Sequence, residues 1–98
     1  MKQVFIGIGS NQNHPYFRVN SAFKQINRIN QTRLIKRSSL YETVPLGPKL
    51  QPNFINAVVE IETMLSPNNL LKELQLLEKQ HNRKKTKRWG PRSLDLDI

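Results

Sequence analysis

The stretch Arg88-Trp89-Gly90-Pro91-Arg92-Ser93-Leu94-Asp95-Leu96-Asp97-Ile98 closes the chain and ends in strict alternation. Leu94, Leu96 and Ile98 share one parity; Asp95 and Asp97 share the other. Successive side chains of a strand point to opposite faces. The segment therefore predicts a strand over 94–98 whose apolar trio enters a core. Both carboxylates then project from the opposite face, roughly 6.6 Å apart along the chain. Two carboxylates at that spacing can share one hard cation or hold a pair of them. The only histidines, His14 and His81, lie far apart, and there is no cysteine. Zinc prefers nitrogen or sulfur ligands, whereas an oxygen-only site suits magnesium carried on a polyphosphate.

Immediately upstream, Arg83, Lys84, Lys85, Lys87, Arg88 and Arg92 crowd into residues 83–92. Lysine and arginine supply charge for phosphate, and arginine adds a planar fork. Gly90-Pro91 makes a sharp turn that can deliver Arg92 into a site. Such a polar loop resembles a lid that orders on its ligand. Lys24, Arg28, Arg33, Lys36 and Arg37 are more dispersed and read as solvated faces.

Working back along the chain, residues 4–8 form a short apolar run that breaks at Gly9-Ser10-Asn11. Asn13 is placed to cap a helix with Pro15 in its first turn. Tyr16, Val19, Ala22, Phe23 and Ile26 recur at three- and four-residue steps, an amphipathic helix. Residues 34–42 read as a second strand. Three prolines within residues 45–52 permit neither helix nor central strand there. Residues 54–62 alternate, with Ile55, Ala57, Val59 and Ile61 on one face. Ser66-Pro67 starts a second helix with Leu70, Leu71, Leu74 and Leu77 as its buried stripe. The order is βαββαβ. It predicts an α+β, ferredoxin-like domain, a four-stranded antiparallel sheet with two helices on one face.

The chain has 98 residues, 37% of them hydrophobic, enough for one small core. The absence of cysteine excludes disulfides and thiolate sites. No run approaches the ~20 apolar residues of a membrane span, and the first ten are too briefly apolar for a signal peptide. The expectation is a soluble, cytoplasmic, monomeric protein. Its formal charge of +9 implies anionic partners. Gly7-Ile8-Gly9-Ser10 lacks the spacing of a dinucleotide or Walker loop, so close backbone approach is the better reason for its glycines. Phe54 and Asn56 share the uncovered sheet face, where an aromatic ring and an amide can stack on and bond a flat heterocycle.

This combination resembles the 6-hydroxymethyl-7,8-dihydropterin pyrophosphokinases of folate biosynthesis. The run from Arg88 to Ile98 looks like that family's signature. Ile8-Gly9-Ser10-Asn11, Tyr41-Glu42-Thr43-Val44-Pro45-Leu46-Gly47 and Gln51-Pro52-Asn53-Phe54-Ile55-Asn56-Ala57 match in the family's order. The resemblance implies transfer of the terminal diphosphate of ATP to the pterin's hydroxymethyl group, with release of AMP. It implies that Asp95 and Asp97 hold two magnesium ions, and that Arg83 and Arg92 contact the transferring phosphates. Trp89 would belong to a mobile loop. Gln75, Glu78, Arg88, Trp89, Arg92 and Ile98 would bind nucleotide. Thr43, Val44, Pro45 and Leu46 would bind the pterin, with Phe54 stacking on the ring and Asn56 bonding it.

Such enzymes continue beyond their two aspartates. The resemblance therefore implies a single pyrophosphokinase domain over 1–98, truncated at its C-terminal end and impaired as it stands. A different class competes, a small nucleic-acid-binding module, because RNA-recognition domains share this architecture. Those need several sheet-surface aromatics, and acids on the exposed face repel phosphate unless metal is present. No nucleic acid is expected as a partner.

Overall fold

A computed structural model describes residues 1–45, 50–81 and 92–98. Its elements run β1 (Lys2–Ser10), α1 (Pro15–Asn27), β2 (Thr32–Arg37), β3 (Tyr41–Thr43), β4 (Phe54–Thr63), α2 (Pro67–Gln80) and β5 (Asp95–Asp97). The sheet order is β2-β4-β1-β5, with β3 also paired to β4. Every pairing is antiparallel. This is the expected α+β, ferredoxin-like arrangement with one more strand than the sequence predicts.

The extra strand comes from a break in the predicted second one. The register slips between Leu34 and Lys36, which leaves Ile35 outside the ladder. At Ser38 a side chain then takes over from the backbone. The Ser38 N–H donates to the Val58 carbonyl at 2.8 Å, while the Val58 N–H donates to Ser38 Oγ at 2.8 Å. A serine hydroxyl that bonds the neighbouring backbone competes with the ladder. Pairing resumes on the same β4 edge at Tyr41↔Asn56.

The buried face follows the alternation. Ile6 and Ile8 of β1, Ile55, Ala57, Val59 and Ile61 of β4, and Leu94 and Leu96 at β5 meet Val19, Ala22, Phe23 and Ile26 of α1 and Leu70, Leu74 and Leu77 of α2. Full burial of one such side chain contributes about 1.5–3 kcal/mol. Three residues expected inside lie outside: Tyr16 and Leu71, on the helices, and Ile98 are exposed. Ile98 follows the last paired residue, since the β1–β5 register stops at Gly7↔Asp97.

The helix starts differ from each other. Ser66 caps α2 as expected, its Oγ accepting from the Asn69 N–H at 3.2 Å, with Pro67 in the first turn. At α1 the N-cap is His14 rather than Asn13, and it makes no side-chain cap bond. Asn13 and His14 both adopt left-handed backbone, with φ of 57° and 67°. The Asn13 amide is used elsewhere, on Ser93.

Candidate active site

The uncovered sheet face is built in rows across the strands. Asp95 of β5 lies opposite Gly9 of β1, Gly9 lies opposite Asn56 of β4, and Asn56 lies opposite Tyr41 of β3. The next row is Asp97, Gly7 and Val58. Both carboxylates thus flank backbone that carries no side chain. A methyl group added at Gly9 would come within 3.2 Å of Asn56 Oδ1 and 3.5 Å of the Phe54 ring. The crowding at Gly9 comes from side chains rather than from the close backbone approach the sequence suggested, and at Gly7 a methyl group would meet only the Asp97 carbonyl at an ordinary 3.8 Å. Neighbouring strands are about 4.8 Å apart, so Asn56 and Asp95 stand roughly 10 Å apart across the bare Gly9 position.

Asn56 is held in one orientation. Its Nδ2 donates to Thr43 Oγ1 at 2.7 Å and to the carbonyls of Tyr41 and Phe54 at 3.5 and 3.4 Å. With those acceptors on one side, Oδ1 faces Gly9 and the carboxylate strand. The side chain presents an acceptor suited to the N–H edge of a heterocycle. Phe54 is half-buried beside it, and Thr43 pairs with Phe54 across the β3–β4 edge. Val44 is exposed and Pro45 half-exposed. Of the sequence-predicted heterocycle residues, Thr43, Phe54 and Asn56 therefore come together at one end of the face; Val44 and Pro45 follow β3 directly, and Leu46 lies outside the described residues.

Asp95 is half-buried and Asp97 exposed. Between them, the Leu96 N–H donates to Glu78 Oε2 at 2.9 Å. Glu78 is buried, whereas Gln75, one turn earlier on α2, is exposed. The helix thus reaches the strand through Glu78 and fixes the backbone that carries both aspartates. Among the described residues, no group of three or more histidine, cysteine, aspartate or glutamate side chains converges on one point. Arg83, Arg88 and Trp89 lie outside the described residues.

Arg92 is half-buried, and its backbone is fastened to Asn11 twice. The Arg92 N–H donates to Asn11 Oδ1 at 2.8 Å, and the Asn11 N–H donates to the Arg92 carbonyl at 3.0 Å. Asn11 Nδ2 also donates to Gln51 Oε1 at 2.8 Å and the Pro52 carbonyl at 3.0 Å. This buried amide ties the end of β1 to the segments leading into β4 and β5. Sequence reasoning gave Asn11 no role. Its place in the Ile8-Gly9-Ser10-Asn11 match was the available signal.

His81, buried at the C-terminal end of α2, is a second residue without an assigned role. Its Nδ1 is 3.1 Å from Arg18 Nη1 and its Nε2 is 2.7 Å from Gln25 Oε1. Arginine only donates, so Nδ1 accepts and the Nε2–H donates to Gln25. The ring is neutral in this arrangement. Burial, and then the Arg18 guanidinium, hold its pKa below the ordinary value of about 6.5. The unfolded chain therefore binds a proton that the folded chain does not. This contribution to stability is fully present above about pH 6.5 and is lost as pH falls from there through the lowered folded value. Urea midpoints are expected to drop between about pH 7.5 and pH 5.5, with a shallower drop in His81→Gln. An equal slope in the two proteins contradicts the assignment.

The model for 7,8-dihydro-6-hydroxymethylpterin-pyrophosphokinase matches residues 5–98. The chain belongs to this family. It is 47% identical over all its 98 residues to the 2-amino-4-hydroxy-6-hydroxymethyldihydropteridine pyrophosphokinase of Haemophilus influenzae, covering 61% of that protein. It is 42% identical to the enzyme of the same name from Pseudomonas aeruginosa, again over its full length and 60% of the relative. Over 97 residues it is 40% identical to the folic acid synthesis protein fol1 of Schizosaccharomyces pombe, of which it covers 13%. The chain thus spans about three fifths of the two bacterial pyrophosphokinases. No helix among the described residues of this pyrophosphokinase-family chain is long and apolar enough to cross a membrane.

Proposed function

We propose that this chain forms the pterin- and metal-binding part of an ATP-dependent diphosphotransferase that acts on 6-hydroxymethyl-7,8-dihydropterin in folate biosynthesis. One observation carries the reading. A single sheet face carries an oriented amide and an aromatic ring on β4 and two carboxylates on β5, with Gly9 and Gly7 of β1 between the strands. A flat ring over Phe54 and Asn56 would direct its hydroxymethyl arm toward the carboxylate strand.

In this reading the hydroxymethyl oxygen attacks the β-phosphorus of ATP. The bond from that phosphorus to the oxygen bridging it to the α-phosphorus breaks, AMP departs and the hydroxyl proton passes to water. Phosphoryl-type transfer depends on positioning and charge neutralisation more than on covalent help from the protein. Asp95 and Asp97 would hold magnesium, with phosphate and water completing the oxygen ligands. Two bound ions would neutralise the polyphosphate and hold it in line. Arg92 would clamp the transferring phosphates through its planar fork. Glu78 would keep the strand between the carboxylates in place, and Gln75 would meet nucleotide from the exposed side of α2.

Thr43, Val44, Pro45 and Leu46 would line the pterin end. The assignments of Arg83 to phosphate, and of Arg88, Trp89 and Ile98 to nucleotide, rest on the family's signature. The test is ATP consumption by the protein at its full natural length. It is expected only when the hydroxymethylpterin and a divalent cation are both present. Equal consumption without the pterin, or with the metal chelated, counts against the proposal.

A further inference from the structure

His81 at the end of α2 and Arg92 ahead of β5 are both bonded to one short segment. Residues 11–18, the β1–α1 turn and the start of α1, hold them through separate contacts. Asn11 bonds the Arg92 backbone in both directions. Asn13 Nδ2 donates to Ser93 Oγ at 2.7 Å, and Gln12 Nε2 donates to the same oxygen at 3.3 Å. Arg18 contacts His81 Nδ1 at 3.1 Å. Arg18 Nε also donates to the Asn13 carbonyl at 2.9 Å, which joins the two ends of the arrangement. The partners are far apart in sequence, 63 positions for Arg18 and His81 and 80 for Asn13 and Ser93. Ser93, like Asn11 and His81, is buried.

The backbone of this segment is unusual. Asn13 and His14 are consecutive non-glycine residues with φ of 57° and 67°. A left-handed residue costs roughly 1–2 kcal/mol, less for asparagine than for most side chains. Such strain persists where surrounding contacts over-determine it, and it concentrates at functional sites. Here the Asn13 carbonyl meets Arg18 while its side chain meets Ser93. These two contacts hold Asn13 from both sides, and no side chain caps α1.

We infer that the turn between β1 and α1 is the positioning element for the phosphate end of the site, with Asn13 as a positioning residue acting through Ser93. Ser93 is next to Arg92 and two residues before Asp95. A shift at Ser93 moves the arginine and the first carboxylate together. The inference rests on the proposed function only for its consequence in turnover; the coupling between turn and strand stands by itself. It assigns Asn13 no contact with substrate.

Asn13→Gly separates a positioning role from a fold role. Glycine accepts positive φ at no steric cost, so the turn keeps its shape and the protein its melting temperature, while the Ser93 bond is lost. In the full-length protein, kcat is expected to fall about tenfold, as for partners that orient metal ligands. KM for the pterin is expected to stay unchanged, because Phe54 and Asn56 are not bonded to this turn. Ser93→Ala removes the same bond from its other end, together with the longer one from Gln12. The double variant should then lose little more than Ser93→Ala alone, the mark of a shared interaction. Amide hydrogen exchange at Ser93, Leu94 and Leu96 should speed up in each variant. If Asn13→Gly leaves kcat and exchange across 92–97 at wild-type levels, or if the two losses simply multiply, the inference is wrong. A wild-type protein that releases no AMP would refute the proposed reaction instead, and faster exchange at those amides would still bear out the coupling.

Discussion

Asp97→Ala in the full-length protein is expected to lower turnover by about a thousandfold, the effect of removing ~4 kcal/mol of charge stabilisation from the transition state. The same variant should bind the pterin nearly as well as the parent. Asp97 lies in the row of Gly7 and Val58, one row from Asn56, and its carboxylate is assigned to metal rather than to the ring. Asp97 is exposed at the last paired residue of β5, so the fold should hardly notice. Surface substitutions of this kind usually fall within about 0.5 kcal/mol. Asp97→Asn keeps the shape and removes the charge, and its loss should be of similar size. Near-normal turnover by Asp97→Ala would sink the metal assignment.

Arg92→Ala is expected to cost roughly a hundredfold in kcat, the scale of losing one pre-aimed donor to developing charge. Arg92→Lys should recover only a small part of it. Lysine offers a point charge on a flexible stem, not a planar fork. The backbone bonds from Asn11 to residue 92 do not involve the side chain, so both variants should keep the local fold. Full rescue by lysine would mean that bulk positive charge suffices and that bidentate contact plays no part.

The core could be read because strand and helix periodicities are local. The alternation of residues 54–62 placed Ile55, Ala57, Val59 and Ile61 inside, and they are buried. Ser66-Pro67 carries its own start signal, and α2 begins there. Leu94 and Leu96 entered the core as the final alternation required. That alternation also put Asp95 and Asp97 together on the open face, and Phe54 and Asn56 followed from parity on β4.

What escaped the reading depends on partners remote in sequence. Nothing near Ser38 announces that its hydroxyl will replace a carbonyl opposite Val58, so the split into β2 and β3 was hidden. Asn13 has the chemistry of a helix cap. Its amide instead serves Ser93, and His14 takes the cap position in a left-handed conformation. The family resemblance gave Glu78 the same nucleotide role as Gln75. Its burial and its bond to the Leu96 N–H appear only once β5 is laid beside α2. Ile98 kept the parity of the core residues but fell beyond the end of the ladder.

The two halves of the face make one joint demand on the chemistry. An acceptor-lined aromatic corner and a pair of carboxylates sit on the two strands that flank β1, so the ring and the polyphosphate should react with one another rather than bind independently. Phosphorus NMR of the reaction of full-length protein with ATP, magnesium and 6-hydroxymethyl-7,8-dihydropterin tests this most directly. The account predicts AMP together with a coupled pair of resonances from a diphosphate on the pterin. ADP with a pterin monophosphate would contradict it.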